Sequence, residues 1–126
     1  MASKFCIKDR LRSFMYAYRG WHLMLHKQYN FYIHIVLAII AIIMGFLLNL
    51  SRAEWLWIIL AIGLVLAAEI FNTAIEKLTD LVQEEKHPKA GQVKDLAAGA
   101  VLVLAITALL IGIIIFVPRL MDLFDQ

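Results

Sequence analysis

Residues 96–117, LAAGAVLVLAITALLIGIIIFV, form an unbroken run of twenty-two uncharged residues. As a helix this run reaches about 33 Å, which matches the hydrocarbon thickness of a bilayer. A chain of 126 residues that is 63% hydrophobic cannot hide such a segment in a water-soluble core, because small domains bury the smallest share of their surface. Two further apolar runs, 35–50 and 55–68, lead to the same solvent. The expected architecture is an all-α membrane protein, read as a single domain over residues 1–126.

The first apolar run is slightly short for a span, so residues 31–34 are expected to extend it, giving a span over about residues 31–50. Asn49, Ser51 and Arg52 mark a tight turn, and Trp55 and Trp57 follow as interfacial aromatics. The second run stops at Glu69, but no Pro or Gly interrupts IFNTAIEKLTDLVQEE. The second helix is therefore predicted over about residues 53–85, emerging into water and ended by His87-Pro88. The third is predicted over about residues 92–117, closed by Pro118. Gly63, Gly99 and Gly112, with Ala97, Ala98, Ala100 and Ala105, suit close helix packing.

Ahead of these spans, residues 4–27 carry Ile7, Leu11, Phe14, Met15 and Tyr18 at helical spacing among Lys4, Lys8, Arg10, Arg12, Arg19 and Lys27. A basic amphipathic helix of this kind suits an anionic membrane surface, either as a lid at a substrate entrance or as a plain topological anchor. No cleavable leader is expected, since the first thirty residues lack a continuous apolar stretch and a small-residue cleavage site. Ten of the twelve Lys and Arg residues flank one side of the spans, leaving Arg52 and Arg119 on the other. This predicts a cytoplasmic N-terminus and second connection, with the first turn and the C-terminus outside. The net charge of only +2 gives no case for nucleic-acid binding. Cys6 has no disulfide partner in the chain and is expected to be a spectator thiol on the reducing side.

Chemistry concentrates between Glu69 and Asp95. Glu69, Asn72, Thr73, Glu76 and Asp80 fall within roughly 100° of one another on a helix, forming one stripe. Its deepest member, Glu69, directly follows fourteen uncharged residues. An ionisable group at such depth usually faces a protein interior or a wet cavity. There it can meet the hydroxyl of a lipid whose tails stay in the bilayer, and act as general base. Glu76, about 10 Å further along the helix, suits a magnesium ion with nucleotide phosphates. Lys94 and Asp95 add a cation and a carboxylate at that level, and Lys94 can neutralise charge on a transferred phosphoryl group. The bland alternative is a solvated helix face, which suits Lys77, Asp80 and Glu84 equally well. Phosphoryl transfer does not follow from spacing alone. The chain has no GxxxxGK[ST] loop and no protein-kinase motif set, so a soluble-kinase mechanism is excluded. His22, His26, His34 and His87 form no metal-binding spacing.

The run AAEIFNTAIEKLTDLVQEEKHPKAGQVKDLAAGAVLV resembles the signature of the bacterial diacylglycerol kinase family. That signature reads E-x-x-N-[ST]-A-I-E, then D, then K-D before the last helix. Here the matching positions are Glu69, Asn72, Thr73, Ala74, Ile75, Glu76, Asp80, Lys94 and Asp95. The resemblance implies a homotrimer with active sites shared between neighbours. It also implies magnesium-dependent transfer of the ATP γ-phosphoryl group to a membrane lipid alcohol, in the cytoplasmic (inner) membrane. By position, Glu69 would be the base and Glu76 would hold the metal. Asn72, Lys94 and Asp95 would support nucleotide and transition state, while Tyr16, Glu85, Lys86 and His87 would contact ATP. One departure stands out: Gln28 occupies the position of a family glutamate that shares the metal. A glutamine carbonyl can ligate magnesium but brings no charge, which leaves open weaker binding, compensation by Glu84, or loss of activity.

Two lipid alcohols fit, undecaprenol and diacylglycerol. His87-Pro88, the KDLAAGAVL wording and the N-x-x-x-H from Asn30 to His34 look more like the undecaprenol kinase branch. The competing readings are an inactive relative acting as a membrane assembly partner, and a small transporter subunit using the stripe as an ion path.

Overall fold

The computed structural model describes residues 7–124, all helical apart from short connections. The start of the predicted surface helix at Lys4 and the lone thiol at Cys6 lie outside the described residues. Four helices follow in order: α1 Ile7–Lys27, α2 Tyr29–Leu47, α3 Arg52–Val82 and α4 Pro88–Phe124. Helices α2, α3 and α4 are long and apolar enough to cross a membrane. α3 packs mainly on α4 and less on α2, while α2 and α4 barely touch.

A single extended residue, Gln28, separates α1 from α2. The elbow is set by Met24 and Phe31, both buried, and by Trp21 standing edge-on to Phe31 at 5.5 Å between ring centres. This contact gives the chain a fixed change of direction without a long loop.

The α2–α3 turn is closed by local chemistry. Asn49 adopts φ 51°, a left-handed conformation that asparagine tolerates. Its N–H bonds the Phe46 carbonyl, and the Leu50 N–H reaches back to Gly45, the paired bonds of a Schellman ending. Ser51 and Glu54 then form a reciprocal capping box that starts α3. Gly45 is required here by space. A Cβ at this position would meet the Trp55 ring at 2.7 and 2.9 Å, and that ring also packs on Phe46 at 4.8 Å. Leu50, Ile58 and Ile115 form the buried apolar cluster beside the turn, with Trp55 and Phe116 against it.

Several helix ends differ from expectation: α2 stops at Leu47, short of residue 50, where the turn begins. α3 stops at Val82 rather than near residue 85, and His87-Pro88 opens α4 instead of ending α3. Proline suits the first helical position, where its missing N–H costs nothing. His87 caps that start, its Nδ1 accepting the Lys89 N–H at 3.2 Å. α4 therefore begins before residue 92. Pro118 does not close α4, which continues to Phe124. Its ring deprives the carbonyl four residues back of a partner. The turn beyond it is tied to α3 by Arg119, whose Nε and one terminal nitrogen donate to the two Glu54 carboxylate oxygens at 3.2 and 2.7 Å.

Most large apolar side chains of α2–α4 remain exposed, including Leu56, Leu64, Phe71, Leu102 and Ile114. Such a surface is stable only against lipid or further protein.

Candidate active site

The predicted stripe on α3 is present, and its burial is graded. Glu69 and Thr73 are the buried polar residues among those described, at 4% and 3% exposure. Asn72 and Glu76 are half-buried, and Asp80 is exposed. A helix face leaving an apolar layer at an angle produces this order.

Glu69 is not alone at its level. His34 of α2 places Nε2 3.2 Å from Glu69 Oε1. One turn further on, Asn72 Nδ2 donates to Glu76 Oε1 at 3.1 Å. The Asn72 Oδ1 is buried and has no hydrogen-bond partner. A buried acceptor left open is costly in a finished interior. Asp80 then ion-pairs with Lys94, joining the end of α3 to the start of α4.

Beyond this pair the α3–α4 connection forms an open cleft of about 440 Å³ with several charged residues in its wall. Asp80, Glu85, Lys86, His87, Gly91 and Lys94 contribute to its wall. Four residues expected to contact nucleotide thus share one cavity. Asp95 is exposed and does not line it. Tyr16 is also exposed, on α1, with the Arg19 guanidinium 5.9 Å from its ring centre. Gln28 sits half-buried at the elbow and does not line this cleft. A second cavity, of about 430 Å³, lies between α2, α3 and α4. Among the described residues in its wall only His34 is titratable; the rest, such as Leu37, Val65, Ala108 and Phe116, are apolar.

Comparison with known proteins places this arrangement. Residues 15–116 match the family described as prokaryotic diacylglycerol kinase. The chain belongs to the prokaryotic diacylglycerol kinase family. It is an enzyme of the lipid kinase class. An undecaprenol kinase from Bacillus subtilis is 43% identical over 109 residues, covering 86% of this chain and 89% of that protein. A diacylglycerol kinase from Synechocystis is 38% identical over 114 residues, covering 90% of this chain and 65% of the relative. The diacylglycerol kinase of Escherichia coli is 31% identical over 75 residues, covering 60% and 62%. The family match includes every residue of the α3 stripe and both members of the Asp80–Lys94 pair.

His34 is the residue that sequence reasoning missed at the site. The sequence offers His34 only as part of the N-x-x-x-H from Asn30 and as one of four histidines without metal-binding spacing. A usable signal existed nonetheless. His34 immediately precedes the apolar run of α2 and Glu69 immediately follows that of α3, and the two helices are antiparallel neighbours. Two polar residues that close facing apolar runs at the same end must lie at similar depth.

Proposed function

We propose that this kinase transfers the γ-phosphoryl group of ATP to the primary hydroxyl of a membrane lipid alcohol, with Glu69 as general base. The observation that carries the reading is a buried carboxylate on the same helix face as Asp80, about three helical turns from the lysine-containing cleft that Asp80 lines. A substrate with apolar tails can bring its hydroxyl to Glu69, while a charged nucleotide stays in the wetter cleft. Glu69 takes the hydroxyl proton as the oxygen attacks phosphorus; the bond to the β-phosphate bridging oxygen breaks and ADP leaves. Lys94, with Lys86, offsets the negative charge of the phosphates, and His87 contacts the nucleotide. Tyr16, Glu85 and Asp95 complete the nucleotide contacts.

Among the described residues no three of His, Cys, Asp and Glu converge on a metal cage. Magnesium needs none, since it binds through one or two carboxylates plus phosphates and water. The Glu76 carboxylate and the open Asn72 Oδ1 are oxygen donors of the required kind. Glu76, with Gln28, would hold the ion, which when bound supplies charge neutralisation at the phosphates.

Undecaprenol is the preferred acceptor over diacylglycerol, supported by the greater identity to an undecaprenol kinase over nearly its whole length. The protein works as a homotrimer with shared sites, each chain one membrane domain with α1 at the surface. It lies in the cytoplasmic membrane with the N-terminus and site on the cytoplasmic side and the C-terminus outside. The exposed apolar flanks and the Lys and Arg bias support this arrangement.

The test is transfer of labelled phosphate from ATP in mixed micelles containing undecaprenol or diacylglycerol, titrated in magnesium. Turnover with a lipid alcohol is expected, and Glu69→Gln should reduce it by about 10²–10⁴-fold. Gln28 favours a second reading, an inactive assembly partner. Absence of turnover with either lipid in an intact oligomer would establish that reading instead.

A further inference from the structure

We infer that His34 is a positioning residue for Glu69, an assignment that rests on Glu69 being the general base. A carboxylate has two oxygens and a side chain with three rotatable bonds. To take a proton from an arriving hydroxyl, one oxygen must be presented at a fixed place. His34 Nε2, 3.2 Å from Oε1, restrains one oxygen and leaves the other to the substrate. The restraint comes from a different helix, so it sets Glu69 relative to α2 and resists rotation of the α3 side chain alone. Both side chains are largely shielded, at 20% and 6% exposure, so water competes weakly for the contact.

The chemistry of imidazole suits this task. A neutral histidine donates one N–H while adding no charge to an apolar layer. A lysine or arginine at the same place would bring a permanent charge into that layer. His34 also lies in the wall of the apolar cavity, which raises a plainer role as filler. Leucine can fill that space but cannot donate a hydrogen bond. Glutamine can donate from a similar reach.

The experiment compares full-length wild type, His34→Leu and His34→Gln in micelles with undecaprenol and magnesium-ATP. His34→Leu is expected to lower kcat roughly a hundredfold, the effect of a displacement of about 1 Å at a reacting group. The KM for ATP should stay unchanged, and His34→Gln should regain most of the lost kcat. An infrared difference spectrum of wild type minus Glu69→Gln isolates the Glu69 carboxylate stretch. That band should shift in His34→Leu and return in His34→Gln. Equal kcat in the leucine and glutamine variants, or an unmoved band, overturns the assignment. A wild-type protein that transfers no phosphate overturns the kinase reading instead, and the infrared comparison still decides whether His34 holds Glu69.

Discussion

The two ends of the α2–α3 hairpin are built on opposite rules. At the turn, polar groups are matched: Ser51 and Glu54 cap each other, Arg119 takes both Glu54 oxygens, and the Asn49 and Leu50 N–H groups have carbonyl partners. Trp55 packs so tightly on Gly45 that a methyl group does not fit. At the far end of the same helices, Glu69 is buried beside a single histidine and Asn72 keeps an oxygen open. The closing Asp80–Lys94 pair is exposed, with the Asp80 side chain 65% accessible. One end is satisfied internally, so it holds the helices together. The other retains unspent polar capacity, which a substrate can use. On the proposed function, stability and chemistry are thus separated by the length of a membrane span.

Substitutions that dissociate the two ends give the sharpest checks. Of three such substitutions, the largest effect is expected at Asn72. Asn72→Leu removes the open acceptor and the hydrogen bond that orients Glu76, and should lower lipid phosphorylation about ten- to a hundredfold. Thermal unfolding in detergent should shift little or upward, because an unsatisfied buried oxygen disappears with the bond. A large loss of stability would show that Asn72 belongs to the structural end after all.

At the turn the pattern should invert. Gly45→Ala forces the Trp55 ring out of its place and is expected to cost about 1–3 kcal/mol of stability. Activity per folded molecule should remain near that of wild type, as measured by turnover normalised to the intact oligomer. A selective loss of turnover there would mean the two ends are coupled through α3. The smallest effect belongs to Asp80→Asn. An exposed ion pair contributes about 0–1 kcal/mol, so the unfolding midpoint should barely change. Raising the salt concentration should diminish even that difference. A larger loss would show that the pair fixes the α3–α4 connection.

Several features could be read without a structure, each from periodicity or run length. The uncharged segment 96–117 demanded a span, and the offsets of Glu69, Asn72, Glu76 and Asp80 demanded one face. Helix ends were less legible. Pro118 reads locally as a stop, yet Arg119 reaches Glu54, 65 residues away, and the helix continues. His87-Pro88 reads as the end of α3, but the same dipeptide is an equally good beginning for α4. Which side chains share a cavity was not legible from spacing: Glu85, Lys86, His87 and Lys94 line one cleft, whereas Asp95, one residue on, is exposed and does not line it.

What residue order alone determined is whatever a single helix decides: which segments are apolar, how long they are, and which side chains share a face. Those properties depend on neighbours within about one turn, because the 3.6-residue repeat is local. Tertiary structure alone decided the His34–Glu69 pairing, the Glu54–Arg119 clasp and the open oxygen of Asn72. Each depends on the depth and rotation at which separate helices pack, and many weak contacts between helices set these, not any one residue.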